Sequence, residues 1–451
     1  MINILFFAND FAPLRSGGTF RSIYFVKYLR KFGINPIVLT DDFEYSIKYN
    51  VYKEKDFDYN LNKVISDDIK VHYIKQNWEK YKNKGRLITK ILDYFRVSEG
   101  HPFLWEKEII KYIKNNIDIS KISLIYCSIP PFYTSLIAVK MAKIFKLPLI
   151  LDFRDPWLIW RTSPYSTYLH YYFTRFYEKR CIEKAQSIIV TSDQTMKDYI
   201  RLYPSIPISK YHLITNGYDA EISDWNFIDS NNAKFIFGYV GSFYYSVKAR
   251  QDMFSPWWKK KGHRALQYLP QKQDWLYRSP FYFFKAISQM FLDHPEMKTR
   301  VEIRFAGTIE DWLIDMVKEF NLSDNFQHLG LLPHKEALEF QQSCNALLLT
   351  SAKVIEGEDY SIAGKTFEYI SMHKPIIGFV CKGAQQRILQ NSGVSLICDP
   401  DDSITSSKKL FELINGNLTF SPNVEFLNRL SRENLTLELS NVINETIKSF
   451  G

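Results

Sequence analysis

The 451-residue chain has few cysteines and none in a paired spacing: Cys127, Cys181, Cys344, Cys381 and Cys398 are scattered, without a CxxC motif. That argues against a zinc ribbon or a dithiol redox centre and fits a reducing compartment. No stretch approaches the ~18 consecutive apolar residues of a membrane-spanning helix. The N-terminal "MINILFFANDFAP" lacks a basic n-region and a cleavage site, so it reads as a first strand and not as a signal peptide. The G-x-G-x-x-G dinucleotide fingerprint is also missing, since "RSGGTF" does not fit it. Low-complexity tracts and short-period repeats are absent. These absences leave a packed globular protein, soluble or resting on a membrane surface.

Hydrophobic residues make up 46% of the chain and aromatics 16%, enough for sizeable cores. At this length one core does not suffice, and two or three domains are expected. The formal net charge of +9 suits an anionic partner: nucleic acid, anionic lipid or a phosphorylated small molecule. Strands and helices alternate. "INILFFA" is a continuous apolar run of the kind that forms a buried parallel strand. The loop "NDFAPLRSGG" follows, then a helix expected from about Thr19. Phe25, Tyr28, Leu29 and Phe32 fall on one face of it, and Gly33 stands where its C-terminus wants a left-handed residue. "NPIVLT" completes a βαβ unit, and the pattern recurs through "SLIYCS", "LPLILDFRD" and "AQSIIVTS". A second series starts near Phe235 with "FIFGYVGS", "VEIRFAG", "FQHLGLL", "ALLLTS", "PIIGFV" and "VSLICD". Two such series imply an α/β fold of two doubly wound Rossmann-like domains. The polar stretch "DAEISDWNFIDSNNAK", residues 219–234, reads as the linker.

Several stretches carry candidate chemistry. Gly17 and Gly18 make either a tight strand-to-helix turn or a place where a phosphate or sugar approaches the backbone at a helix N-terminus. Asp41 and Asp42 follow the second strand, where an NAD-binding fold places its ribose ligand; with the first βαβ unit, they are the only support for an NAD-dependent enzyme. "DYSIAGKTFEYISMHKPIIGF", Asp359–Phe379, joins a glycine loop to an amphipathic stretch and a strand. Gly364, Lys365 and Glu368 there are either an ordinary helix start or a grip on a nucleotide. In the second case the helix N-terminus stabilises the anion and Lys365 adds a point charge. In "DFRDPW", Asp152, Arg154 and Asp155 are either a scaffold ion-pair group or supply a carboxylate that orients or deprotonates an acceptor hydroxyl. Trp157 beside them is either a stacking wall for a sugar ring or core. His328 and His334 read as structural or exposed, and Asn216 and Gly217 as turn residues. No DxD-like pair stands in a loop suited to holding a metal.

Six stretches in order carry a family resemblance: "ILFFANDFAPLRSGGTFRSIYFVKYLRKFG", "LILDFRDPW", "ITNGYD", "GYVGSF", "AGKTFEYISMHKPIIGF" and the C-terminal "FLNRLSRENLTLELSNVI". Together they resemble the glycosyltransferases of family four, which have the two-Rossmann-domain (GT-B) architecture. The resemblance covers nearly the whole chain except residues 246–279 and part of 43–120. It implies an acceptor-binding N-terminal domain, 1–222, completed by a C-terminal helix, 432–451, that crosses back onto it. It implies a nucleotide-sugar-binding domain at 233–431, with an insertion at 246–279, facing the first across a cleft. The implied reaction moves a sugar, with retention, from a nucleotide-diphosphate sugar to a hydroxyl of a carbohydrate acceptor, without metal or other cofactor. The implied setting is bacterial capsule, O-antigen or exopolysaccharide synthesis. The acceptor there is often lipid-linked, so the place is the cytoplasm or the inner face of the cytoplasmic membrane, and nucleic acid is not a partner.

The resemblance also assigns residues. Two glutamates separated by seven residues flank the family's donor loop. The second, which contacts the nucleotide ribose, corresponds to Glu368. The first falls on Tyr360, a departure that leaves Glu358 or Asp359 to substitute and suggests, as a rival, a non-catalytic nucleotide-sugar-binding subunit. Lys365 reaches the donor diphosphate, and Gly17 and Gly18 also face the donor. Lys248 and Arg250 stand where similar enzymes neutralise the leaving diphosphate. Leu331 to Pro333 face the base. Asp152, Arg154 and Asp155 serve the acceptor step. The insertion, Ser246–Ser279, sets eight basic residues against only Asp252 and Asp274, with Trp257, Trp258 and Trp275 among them. It is either a surface excursion held by its own tryptophans or a flap facing an anionic membrane or the acceptor.

Overall fold

A computed structural model describes residues 1–95, 100–159, 164–219, 227 and 233–450. The chain divides into two compact units. The first is Met1–Asn216 with Leu266–Tyr268 and Arg432–Gly451; the second is Gly217–Ala265 with Leu269–Ser431. Most of the linker expected at 219–234 lies outside the described residues. Among those residues, no helix is long and apolar enough to cross a membrane.

The first unit is built on seven parallel strands: β1 (Ile2–Ala8), β2 (Ile34–Asp41), β3 (Val71–Ile74), β4 (Ile122–Ile129), β5 (Leu149–Phe153), β6 (Ser187–Val190) and β7 (Tyr211–Leu213). Their order is β3-β2-β1-β4-β5-β6-β7. Continuous apolar runs suit them because helices cover both faces of a parallel sheet. The chain steps outward from β1 to β3, then returns to β4, so β1 and β4 flank a topological switch point. Helix Gly17–Leu29 starts two residues before the expected Thr19 because Ser16 caps it, its Oγ accepting the Thr19 N–H at 3.1 Å. Gly33, at φ 77°, ends the 3-10 turn Arg30–Phe32 that follows this helix. The C-terminal helix Arg432–Phe450 packs on the first helix, and its Leu435, Leu439, Val442 and Ile443 share a core with Ile23 and Val26.

The second unit carries β8 (Phe235–Val240), β9 (Gln273–Asp274), β10 (Val301–Ala306), β11 (Phe326–His328), β12 (Ala346–Thr350), β13 (Lys353–Val354), β14 (Ile376–Phe379) and β15 (Ser395–Cys398). Six of them form a parallel sheet in the order β11-β10-β8-β12-β14-β15, while β9 and β13 pair separately and antiparallel. The switch point here lies between β8 and β12. Each unit is thus a Rossmann-like α/β domain, and the carboxyl ends of its central strands are where such sheets bind ligands.

One buried ion pair ties the first unit together. Arg21, on the first helix, holds Asp152, on β5, through two N–H donors at 2.7 and 3.0 Å. Its remaining donors reach the carbonyls of Ile214 and Thr215 and the Asn216 side chain. Tyr126 on β4 donates to the same carboxylate. Removing one partner leaves an uncompensated buried charge. Arg21→Met is therefore expected to cost about 3–5 kcal/mol of stability, read from urea unfolding. A cost below about 1 kcal/mol would show that the pair is not an anchor.

Candidate functional site

At the carboxyl edge of the second sheet, three strands end in glycine turns. Gly241 follows β8 at φ 113°, Gly307 follows β10 at φ 144°, and Gly330 lies beyond β11 at φ 71°. At 113° and 144° only glycine is free of strain, and 71° also favours it. The turns are stitched by backbone hydrogen bonds: Gly241 N–H to Ala306 O at 2.7 Å and Gly307 N–H to Gly330 O at 2.8 Å. A Cβ on Gly307 would stand 2.2 Å from the Gly241 carbonyl oxygen, so the two loops touch backbone to backbone.

Lys365 points into this edge. It lies in the first turn of helix Gly364–Ser371, whose N-cap, Ala363, offers no side-chain acceptor. Its Nζ donates to the Tyr239 hydroxyl at 2.6 Å and lies 4.0 Å from the centre of the Tyr239 ring. A Cβ on Gly241 would meet that Nζ at 2.7 Å, so the ammonium rests against bare glycine backbone. Among the described residues it forms no ion pair with a carboxylate. Burial pulls its pKa down from 10.5 to about 7, with the nearby Glu368 charge opposing that shift. Glu368, one turn along the same helix, accepts from Gln341 Nε2. Three motifs spread over more than a hundred residues, "GYVGSF", "VEIRFAG" and "AGKTFEY", thus converge on one backbone-lined, cationic spot.

Other residues assigned to the donor are placed differently. Arg250 is held by Asp274 in a two-pronged ion pair at 2.6 and 2.7 Å, so its charge is already neutralised. Lys248 is exposed on helix Val247–Phe254, the first element of the insertion. Leu331 and Pro333 are exposed just past Gly330, and Pro333 caps helix His334–Ser343. Gly364 is open to solvent, with nothing near the position a Cβ would take. Tyr360 is buried. Neither neighbour replaces the missing glutamate as an unengaged carboxylate. Glu358 is paired with Arg387 at 2.5 Å. Asp359 is fully buried and accepts from Ser361 N and Oγ at 3.1 and 2.8 Å and from Gln273 Nε2 at 3.3 Å.

In the first unit, Gly18 faces the Arg154 guanidinium so closely that a Cβ there would fall 1.5 Å from its Nη1. Gly17 is open on its side-chain face. Arg154 also binds the carbonyls of Ile129 and Pro130 and the Asp10 carboxylate, the last at 3.2 Å. Asp10 accepts from Ser16 Oγ at 3.1 Å. Gly18, Arg154, Asp10 and Ser16 therefore form one cluster beside the switch point. Asp152 departs from the expected catalytic role: it is fully buried and its oxygens are taken by Arg21 and Tyr126, which makes it an anchor. Asp155, half-buried, stands in the loop that follows β5. Trp157 is core, buried and stacked on Phe132 at 5.6 Å, and offers no wall to a sugar. Asp42 caps helix Phe43–Lys48. Asp41 is buried, accepts from Ser46, and burial pushes its pKa up to about 8. Neither is arranged as an exposed ribose ligand, which removes the ground for an NAD site.

The insertion is pinned at its root and open at its tip. Besides the Arg250–Asp274 pair, Trp275 Nε1 donates to Gln273 at 3.0 Å, and β9 pairs with β13. Trp257 and Trp258 are both exposed. Tyr239, Gly241, Gly307, Gln341, Arg21 and Asp10 were not singled out from sequence. The repeated ending of a strand in glycine, "FIFGYVG", "VEIRFAG" and "FQHLG", is the signal that marks the glycine members of this set. Among the described residues, no group of three or more His, Cys, Asp or Glu side chains is placed to hold a metal ion.

No protein-family model matches the chain, and no curated protein matches it. Solved structures do. The chain is similar to the glycosyltransferase from Rickettsia africae ESF-5, with a TM-score of 0.58 at 14% identity over 99% of both chains. It is similar to the lipopolysaccharide outer core galactosyltransferase WaaB in its apo form, with a TM-score of 0.58 at 11% identity over 98% of this chain and 99% of that one. A mutant of S. aureus TarM, in complex with Fondaparinux, alpha-GlcNAc-glycerol and UDP, gives 0.52 at 12% identity over 100% of this chain and 99% of that one. At these identities the likeness is one of fold, and the fold is the two-Rossmann-domain GT-B architecture of glycosyltransferases.

Proposed function

We propose that the chain is a retaining glycosyltransferase that takes a sugar from a nucleotide-diphosphate donor and passes it to a hydroxyl of a carbohydrate acceptor. The observation that carries this reading is Lys365: a half-buried ammonium without a carboxylate partner, set against glycine backbone at the start of a helix and at a switch point. That is the environment a diphosphate completes, with charge from Lys365 and N–H groups from the first turn of its helix. Glu368, one turn along, is the acceptor group for a ribose hydroxyl. In the reaction the same lysine and helix N-terminus stabilise the departing nucleoside diphosphate, and holding the two substrates together supplies much of the rest. The acceptor site belongs to the first unit, with Asp155 beside the Arg154–Gly18 cluster. UDP in the TarM structure and the lipopolysaccharide acceptor named for WaaB support a uridine-type donor and a bacterial surface-polysaccharide setting. The place of action is then the cytoplasm or the inner face of the cytoplasmic membrane. No metal or other cofactor has a role in this scheme.

Tyr360 supports a second reading, a nucleotide-sugar-binding subunit without catalysis. It is buried where the resemblance calls for a carboxylate, and Glu358 and Asp359 are both engaged. Slow hydrolysis of a nucleotide sugar by the purified protein separates the two: a subunit without catalysis gives none.

Lys365→Ala and Glu368→Ala are each expected to weaken nucleotide-sugar binding by about ten- to hundred-fold, roughly 1.5–3 kcal/mol, in titration calorimetry with UDP- and GDP-sugars. Unchanged affinity for every nucleotide that binds the wild type would remove the assignment.

Lys365→Met should have the opposite effect on the free protein, raising its Tm at pH 6 because a desolvated charge is gone. An unchanged or lower Tm would mean that the ammonium is not destabilising.

The pH dependence follows from the depressed pKa. A bound diphosphate raises the pKa of Lys365 again, so binding takes up a proton once the free lysine is neutral. Donor affinity is expected to be flat below about pH 7 and to fall by up to tenfold per pH unit above it, with Lys365→Arg flattening the profile. The free protein behaves in the reverse sense. The unfolded chain holds the Lys365 proton up to pH 10.5, so stability rises with pH between about 7 and 10.5.

A further inference from the structure

Helix Tyr168–Lys184 in the first unit is inside out. Its buried face is largely polar: His170, Thr174 and Glu178 point inward with Cys181 and Ile182. Glu178 is fully engaged there, accepting from the amides of Trp157 and Leu158 at 3.0 Å each and from the hydroxyls of Tyr199 and Tyr203 at 2.8 and 2.6 Å. Its outer face is aromatic instead. Tyr168, Leu169, Tyr172, Phe173 and Phe176 are all exposed, at a spacing that places them on one side of the helix. Amphipathic packing alone gives the reverse arrangement.

A second helix with exposed apolar residues stands beside it. Arg86–Tyr94 buries no residue, and its Leu87, Ile88 and Ile91 are exposed, Leu87 to 74%. His170 Nε2 donates to the Tyr94 carbonyl at 2.7 Å, and the Tyr94 and His170 rings meet edge to face at 5.1 Å. The two helices are therefore physically joined, with the exposed Tyr94 ring against the inward-facing His170. Their fringe is basic: residues 79–94 carry Lys80, Lys82, Lys84, Arg86 and Lys90 against only Glu79 and Asp93.

We propose that this double-helix face is a docking surface for an anionic lipid membrane. Apolar side chains on short surface helices enter the headgroup boundary, tyrosine rings sit well there, and lysines beside them meet the negative lipid charge. A second copy of the chain is the poorer occupant. A two-fold contact brings this lysine-rich segment close to its own copy, where like charges repel. The inference does not depend on which reaction the chain performs, and it places the membrane contact on the first unit and not on the tryptophan tip of the insertion.

The test is cosedimentation of the full chain with phosphatidylcholine vesicles of graded phosphatidylglycerol content, at low and high salt. Wild type is expected to bind more as the anionic fraction rises and to release in salt. Ile88→Ser/Ile91→Ser/Phe173→Ser should lower partitioning by about tenfold or more with the circular-dichroism spectrum unchanged. Leu87→Ser alone is the fallback if the triple variant does not fold. Lys84→Gln/Lys90→Gln should lower binding to anionic vesicles only. Trp257→Ser/Trp258→Ser should bind as wild type does. The proposal is overturned if wild type ignores vesicles of every composition, or if the apolar variants bind normally. It is equally overturned if only the tryptophan variant loses binding, or if the apolar variant turns a dimer into a monomer in sedimentation while vesicle binding stays intact.

Discussion

A single buried guanidinium sets the geometry on which the first unit's ligand edge depends. Arg21 spends all five of its N–H donors within the protein, on Asp152, two carbonyls and the Asn216 side chain. Lysine could not do this, because a point charge lacks the planar fork that binds a carboxylate and flanking carbonyls together. The pair is stable inside the protein because the other guanidinium protons have acceptors and Tyr126 donates to the same carboxylate. It clamps the first helix to β5 and to the chain just past β7. Arg154, two residues beyond Asp152, is thereby aimed back at Gly18 and Asp10. The position that most resembles a catalytic carboxylate is thus the one least free to act as one, and what it does is hold its neighbours still.

The second unit treats its charge in the opposite way. Arg250, Asp359 and Glu358 are matched within the fold, whereas Lys365 has only a tyrosine hydroxyl and the field of Glu368, with which it forms no ion pair. An unmatched charge at a backbone-lined edge costs stability in the free protein. It persists where a ligand supplies the missing counter-charge, and that asymmetry separates a site from a scaffold more sharply than residue type does. Tyr239 contributes by keeping the ammonium near Gly241 while its neutral hydroxyl leaves the lysine charge uncompensated.

The architecture was legible in the sequence because its determinants are local. Continuous apolar runs such as "INILFFA" and "ALLLTS" specify buried parallel strands, and glycines at strand ends mark the ligand edge. The choice among charged residues was not legible. Asp152 and Asp155 look alike in "DFRDPW", and only Arg21, more than a hundred residues away, distinguishes them. Arg250 looked free because Asp274 lies 24 residues on, across a helix and several turns. Trp157 reads equally as a platform or as core because nothing local announces Phe132. The first helix starts two residues before Thr19 for a smaller reason: the capping hydroxyl of Ser16 outweighs the poor helix propensity of Gly17 and Gly18.

The insertion shows how such non-local contacts reach the loop before Gly364. Its root supplies Gln273, which donates to buried Asp359, and Arg278, which donates to Ser361 at 2.7 Å. Asp359 N–H in turn bonds the Lys382 carbonyl at 3.1 Å, and a Cβ on Gly383 would strike the Asp359 backbone. The residues on either side of Tyr360 are therefore fixed by segments that flank the loop in space. A glutamate at that position would bring a carboxylate into a buried place between two residues that are already tied. A tyrosine instead fills it with an apolar ring. The insertion root and the exchange of glutamate for tyrosine are consequently one structural solution: the loop that leads to Gly364 and Lys365 takes its shape from packing and a buried aspartate, where the resemblance implies a carboxylate facing the sugar.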